Sequence, residues 1–383
     1  MKTASVLCLG LLVTVAHAQS VFNKGATVTV SANTTVAVGE NLTNEGTLTN
    51  NGQLIISGAW QNLGTYNPGT GQINFNSDQP QVINHNDQSF QRLIISGTGE
   101  KIFSANLTIE SELDLQSSIL RSQNNAKLTF SQGVLITGGS DASHIVGTVS
   151  HKGTGAWLYP IGDGDQYLPV VIDNVTDATA TGAITLRDLA TGQTLNGSFE
   201  VSRLSDKRYF ELAQTGSLAT ATITLPLRDD NLGLSDVANT VVAAGNTVTD
   251  PFGSLGQSAI AGSFASGSVT SQLAPSFSLY AVAARSDDRT IEVFNGISPN
   301  ETDDLNSFFR IQNIEFYPAN RVTIFNRWGD RIYEARGYNN ADVVFNGTGN
   351  VGNAGKVPAG TYFYLINLGD GSKAMNGYLE IRY

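Results

Sequence analysis

A chain of 383 residues with 40% hydrophobic content is long enough to bury cores in two or three domains, and its formal net charge is −11. Only 14% of residues are charged and Lys and Arg do not cluster, so nucleic acid is excluded as a partner, because phosphate neutralisation needs grouped cations. The one cysteine is Cys8. Everything after it lacks a thiol, which removes disulfides, cysteine-ligated zinc and cysteine nucleophiles from the chemistry to be considered.

The first predicted element is an export leader over residues 1–18. Lys2 supplies a short positive region, Val6 to Val15 an apolar core, and Ala16, His17 and Ala18 an A-x-A-type cleavage site. The apolar stretch is shorter than the roughly 20 residues that span a bilayer, and no later segment approaches that length. A mature chain without a transmembrane segment, starting near Gln19 and passing through the periplasm, is expected.

From Val21 to about Val149 the chain is rich in Asn, Gly, Thr and β-branched residues. Gly46, Gly52, Gly58 and Gly64 fall six apart, and each has a large apolar residue two positions later: Leu48, Leu54, Trp60 and Tyr66. The run Leu54 to Ser57 returns as Leu93 to Ser96, each time followed by glycine. Short β segments at a fixed period predict a parallel β-helix-like solenoid over 19–152. Glycine and asparagine would serve positive-φ corners there, and asparagines in one column can form a hydrogen-bonded ladder. Helical periodicity is absent; the competing reading is an antiparallel sandwich with irregular hairpins.

The texture changes at Gly153 to Gly162, which contains Trp157, Leu158, Tyr159 and Pro160. Beyond it, longer alternating segments such as Lys207 to Leu212, Ala221 to Leu227 and Phe277 to Ala283 are separated by turn clusters. This predicts an immunoglobulin-like β-sandwich over 153–289, ending in a polar linker from Ser286 to Arg289.

Residues 290–383 predict a small β-sandwich. Val322 and Ile324 share one face of a strand, and Thr323 and Phe325 the other. Asn326 to Asp330 reads as a turn carrying Trp328, and Ile332 and Tyr333 begin the return strand. Tyr362 and Tyr364 share a face opposite Phe363, and Gly377 to Tyr383 closes the module. Trp328 and most of these aromatics are expected in the core.

The segments Ile311 to Ile314, Phe325 to Gly329, Pro358 to Tyr364 and Leu368 to Gly371 occur in this order, together with Ser298, Pro299 and Asn300. In this they resemble the gliding-motility-associated C-terminal domain, the type B sorting signal of the type IX secretion system. Two departures stand out. Glu301 to Ser307 replaces a glycine-containing turn, and Phe345, Asn346 and Gly347 stand where the family has Trp-Asp-Gly. The resemblance implies that the type IX secretion machinery is a partner through the folded module. It also implies that the protein is secreted or held at the outer cell surface.

Residues suited to chemistry are few. His85, His144 and His151 follow the leader without a His-Glu-x-x-His helix, and there is no Gly-x-Ser-x-Gly elbow. His144 and His151 flank a predicted strand and are expected on loops or at the surface. Glu110, Glu112 and Asp114 alternate on one strand, with Leu113 and Leu115 opposite, and read as a solvated face over a core. Gly162 to Asp165 and Asp229 to Asn231 offer oxygen atoms in tight turns, but neither has the spacing of a calcium loop. Trp60 and Tyr66 suit either a sugar-stacking platform or the solenoid core.

The all-β chain is therefore expected to be a non-catalytic adhesive or structural surface protein, an adhesin-like molecule with no catalytic, cofactor-binding or metal residues. Surface glycans or extracellular polysaccharide are candidate ligands. The alternative is a polysaccharide-active enzyme, a lyase or glycosidase, with a β-helix catalytic region.

Overall fold

A computed structural model describes residues 20–198, 200–228, 232, 234, 236–286, 291–300, 306–352 and 355–383. The leader expected over 1–18 lies outside the described residues. The chain divides into two compact units, the first ending at Ser286 and the second starting at Asp287. Both are built from strands. Among the described residues the only helical elements are two short 3-10 turns, Val237–Asn239 and Ile314–Phe316.

Residues 21–151 form a β-solenoid of about 7 turns. Each early turn contributes one strand to each of three parallel sheets. Leu42–Asn44, Thr47–Asn50 and Gln53–Ile56 make one turn, and Trp60–Asn62, Thr65–Asn67 and Gln72–Phe75 make the next. In-register pairing stacks Leu42 on Trp60, Thr47 on Thr65 and Leu54 on Ile73. The six-residue glycine spacing is thus one side of a three-sided turn, and three sides bring the chain back to its starting column.

Those glycines serve a different purpose from the one their composition suggests. Gly46, Gly52, Gly58 and Gly64 are not among the positive-φ residues. A Cβ on Gly64 would lie 2.1 Å from the Gly46 carbonyl oxygen, and one on Gly46 would lie 2.2 Å from that of Ala26. Close approach of the turn beneath selects glycine at these four positions, while left-handed corners fall to other glycines, such as Gly25 and Gly133, and to Asn33, Asn86, Asn124 and Asn125, whose φ values are 54–62°.

Inside the solenoid, Leu48, Leu54, Trp60 and Tyr66 are all buried, as the period requires. Alongside them runs an asparagine column. Asn23 Nδ2 donates to Asn44 Oδ1 at 2.7 Å, and Asn44 Nδ2 donates to Asn62 Oδ1 at 2.7 Å. Such a ladder gives Asn23 and Asn44 partners that an apolar interior would otherwise deny them, while Asn62 Nδ2, at its end, has no hydrogen-bond partner among the described residues.

The third sheet runs on past the last turn. Its final parallel strand, Thr148–Lys152, pairs antiparallel with Thr181–Asp188. The sheet then proceeds through Arg208–Thr215, Leu279–Arg285 and Thr240–Gly245. A second, antiparallel sheet of Gly155–Tyr159, Val170–Val175, Thr222–Pro226, Ser268–Thr270 and Ala259–Ala261 packs on the same core. One apolar cluster extends from Val30 to Val282. The expected border at 152/153 lies within a continuous sheet and a continuous core. Trp157, Tyr159 and Ile161, all buried, fill the junction, and Tyr159 donates to the Gly182 carbonyl at 2.9 Å.

The second unit has its own core, from Ile297 to Ile381. Its main sheet runs Gly296–Ile297, Met375–Ile381, Gly360–Asn367, Arg321–Phe325, Arg331–Arg336. Small two-stranded pairs, Glu292–Val293 with Ile311–Gln312 and Thr348–Gly349 with Gly355–Lys356, accompany it. Tyr338 anchors the loops: its buried hydroxyl donates to the Phe309 carbonyl and accepts from Phe345 N–H at 2.9 Å.

Candidate recognition surface

The residues most suited to catalysis or ligand binding are consumed by the fold. His85 is fully buried, stacked on Phe90 with ring centroids 3.8 Å apart. Its Nδ1 accepts from Trp60 Nε1 at 3.1 Å, so the ring is neutral and its Nε2–H points to the Ser89 carbonyl at 3.2 Å. His151 is also buried, with Nε2 2.7 Å from the Leu158 carbonyl. Burial pushes both imidazoles down to about 4, against hydrogen bonds to Ser89 and Leu158 that favour the proton. His144, likewise buried and pushed down by burial, accepts from Gly164 N–H at 3.1 Å. The expectation of loop or surface positions holds only in that His144 lies in a connecting segment; both histidines are buried where the solenoid meets the sandwich sheets, and His151 lies within the strand Thr148–Lys152.

Trp60 and Tyr66 belong to the core. They meet edge to face at 5.6 Å with relative exposures of 0% and 5%, so they form no sugar-stacking platform. Glu110, Glu112 and Asp114 lie half-exposed on the outside of Leu107–Leu115, above buried Leu113 and Leu115. Glu110 accepts from Ser131 Oγ at 2.7 Å, and Asp114 accepts from Thr137 Oγ1 at 3.0 Å. Glu112 pairs in register with Arg92 of the preceding turn.

The Gly162 to Asp165 turn is occupied by a guanidinium. Arg208 Nη1 donates to Asp163 Oδ2 at 2.7 Å, and Asp163 Oδ1 accepts from the backbone N–H groups of Asp165 and Gln166 at 2.9 and 2.7 Å. Burial raises this carboxyl, but the backbone donors and Arg208 outweigh it and hold it below the usual carboxylate range. Asp229 to Asn231 lies outside the described residues. Among the described residues, no group of three or more His, Cys, Asp or Glu side chains could hold a metal ion.

Sequence reasoning missed Lys101. This lysine is fully buried in the solenoid wall and its Nζ donates to the Ser77 carbonyl at 2.8 Å and to the Gly99 carbonyl. Burial pushes it down to about 8. Gln81 fills the same column one turn earlier, donating to the carbonyls of Ile56 and Gly58. The substitution of lysine for glutamine in a column was visible only once the register was known.

What the fold leaves on offer is concentrated in the second unit. Alternation along Gly360–Asn367 buries Tyr362, Tyr364 and Ile366 and turns Phe363 and Leu365 outward. On the adjacent strand Tyr378 is outward, 53% exposed. Register places Phe325, Phe363 and Tyr378 in a row across three strands. At the tip of the neighbouring hairpin the turn is set by Asn326 Oδ1, which accepts from the Trp328 and Asp330 N–H groups at 2.9 Å. This leaves Trp328 78% exposed, with the Arg327 guanidinium 5.5 Å from its ring. The expectation of a core Trp328 is overturned because a tight turn has no interior to receive an indole.

Residues 291–381 match the CHU_C Type IX secretion signal domain. The secretion signal domain accounts for nearly all of the second unit, and the aromatic row and Trp328 lie within it. No curated protein and no solved structure matches the chain. The secretion signal domain implies handling by the type IX secretion machinery and export to the cell surface or the extracellular space. No described helix is long and apolar enough to cross a membrane.

Proposed function

We propose that this protein is a non-catalytic surface or secreted molecule, exported through the type IX route after passage through the periplasm, with an adhesive or architectural first unit. The match of residues 291–381 to a secretion signal domain carries the reading. The composition of the first unit supports it. Its outer faces bear side chains tied laterally into a polar lattice, such as Ser57 to Asn76 at 2.9 Å and Ser96 to Asn74 at 2.7 Å. Groups suited to proton transfer, notably His85 and His151, are buried and neutral. A stiff solenoid with Asn, Gln and Thr outward suits contact with glycans or neighbouring surfaces more than bond cleavage.

Two measurements test this. Deleting Ile291 to Tyr383 should leave the chain inside the cell envelope, and normal appearance outside the cell would refute the sorting role. Purified protein incubated with a broad polysaccharide panel should release no oligosaccharide while retaining at least one member on a pull-down. Depolymerisation would establish the enzyme reading instead.

A further inference from the structure

We propose that the open face of the five-stranded sheet, centred on Phe363, is the surface by which the export apparatus grips the secretion signal domain. Its counterpart would be a protein surface apolar at its centre and carboxylate-bearing at its rim. The proposal rests on reading residues 291–381 as the sorting signal and says which part of that domain is read. One side of the sheet is spent on the domain's own core, where Val322, Ile324, Ile366, Leu379 and Ile381 are at most 1% exposed. The other side carries large side chains that the fold does not need there. Phe363 is 48% exposed, Leu365 39% and Tyr378 53%.

Register decides that these residues form a patch. Phe325 pairs with Phe363, and Phe363 pairs with Tyr378, so three aromatic residues stand in line on consecutive strands about 5 Å apart. Isolated exposed apolar residues are ordinary, whereas a contiguous band rimmed by charge marks an interaction surface. The rim is mostly cationic. Arg321 and Arg331 both contact the single carboxylate of Glu334, leaving one positive charge in excess beside Phe325. A shallow depression is shared by Arg321, Phe325, Arg331, Glu334 and Leu365, and a second by Phe325, Phe363, Leu365 and Tyr378. Aromatic side chains and arginine are the residues that carry binding energy at protein interfaces, and the arginine excess selects an acidic rim on the partner.

The test uses the full-length chain in cells with a working type IX system. Phe363→Glu and the double change Phe363→Glu with Tyr378→Glu should reduce the exported fraction at least tenfold, with the chain accumulating in the envelope. Lys373→Glu, on an exposed loop of the same domain, should export normally. Arg321→Glu with Arg331→Glu should also impair export, since it reverses the rim. Because new charges on the sheet could destabilise the domain, each purified variant is checked by limited proteolysis, and Phe363→Ser with Leu365→Ser is run in parallel as a neutral version. A benzoylphenylalanine at position 363 should crosslink in cells to a component of the type IX machinery, and one at position 373 should not. Wild-type export of the folded Phe363 variants, or crosslinking at 363 to polysaccharide alone, overturns the proposal. The sorting reading fails separately: if the chain lacking Ile291 to Tyr383 is exported, the domain is not the signal, whereas its retention beside normal export of Phe363→Glu condemns only this face.

Discussion

At the scale of single residues, position within a turn decides more than residue type. Gly64 and Gly133 are both glycines of the solenoid, yet they are required for different reasons. Gly133 sits at φ +78° with open space around it, so alanine there meets only backbone strain of about 1 kcal/mol. Gly64 has ordinary φ, but its Cβ would strike the Gly46 carbonyl, a backbone atom that cannot rotate away. Gly64→Ala should therefore cost about 3 kcal/mol, more than Gly133→Ala, as read from urea midpoints of the two variants. Equal costs would show that the turns part more easily than their spacing suggests.

His85 gives a second prediction at this scale, with a definite sign. The ordinary imidazole value is 6.5 and burial pushes His85 down to about 4. At pH 7 the ring is neutral in both folded and unfolded chain. Between 6.5 and 4 the unfolded chain takes up a proton that the folded chain refuses, because Nδ1 is occupied by the Trp60 indole N–H. Stability should thus be full above pH 6.5 and decline toward pH 4, by about 3 kcal/mol for this group. His151, held at about 4 by the same cause, adds a decline in the same window. His85→Asn should flatten part of the pH dependence while lowering stability at pH 7. Urea midpoints at pH 7.5 and 5 for the parent and the variant decide it, and a parent indifferent to pH refutes the argument.

At the scale of elements, the asparagine column behaves as one unit. Asn44 is its middle rung, accepting from Asn23, donating to Asn62 and also reaching the Thr65 carbonyl at 3.1 Å. Asn44→Ala takes the donor from Asn62 Oδ1 in an interior where a stranded polar atom costs about 1–3 kcal/mol, while Asn23 Nδ2 keeps the Ala26 carbonyl at 3.0 Å. Asn23→Ala, at the first turn, strands fewer. The middle change should destabilise by about 3 kcal/mol and the end change by less. A double-mutant cycle on Asn44 and Asn62 should show coupling, and strictly additive losses would mean that the ladder is only an alignment of side chains.

Much of this element was legible beforehand. Glycine every six residues with an apolar residue two later gave the strands, but it left Trp60 and Tyr66 open between a stacking platform and the core, and the structure places both in the core with Leu48 and Leu54. The reason for the glycines was not legible, because a clash with the turn beneath depends on a register that one turn's sequence does not contain. Burial of the histidines was not legible for a related reason. His85 stands in the column of Asn62, where the interior accepts a polar ring if an indole N–H can satisfy it, and no local pattern announces that partner. In the second unit alternation gave the correct faces for Val322, Ile324, Tyr362 and Phe363. The general expectation that tryptophan is core failed at Trp328 because turn geometry overrode hydrophobicity.

At the scale of the whole molecule, the decisive feature is that the third sheet passes from parallel to antiparallel pairing at Thr148–Lys152 without interruption. Solenoids otherwise need a cap over their last turn, since an open end leaves edge strands and apolar side chains in water. Here the sandwich sheets serve as that cap. Charged ties reinforce the junction: Arg228 donates to both carboxylate oxygens of Asp141 at 2.6 and 3.1 Å, and Asp141 also accepts from Tyr167 N–H at 2.9 Å. A shared sheet and core predict that solenoid and sandwich unfold together, while the secretion signal domain, with its separate core, unfolds independently. The three tryptophans make this measurable, because Trp60 lies in the solenoid, Trp157 at the junction and Trp328 in the secretion signal domain. In variants retaining one tryptophan each, Trp60 and Trp157 should report the same urea midpoint. Asp141→Ala should move both midpoints down together and leave the second unit, followed by proteolysis after Arg327 or Arg331, where it was. Should Trp60 keep its midpoint while Trp157 shifts, the continuous sheet would not couple the two halves, and the sandwich would be a neighbour of the solenoid and not its cap.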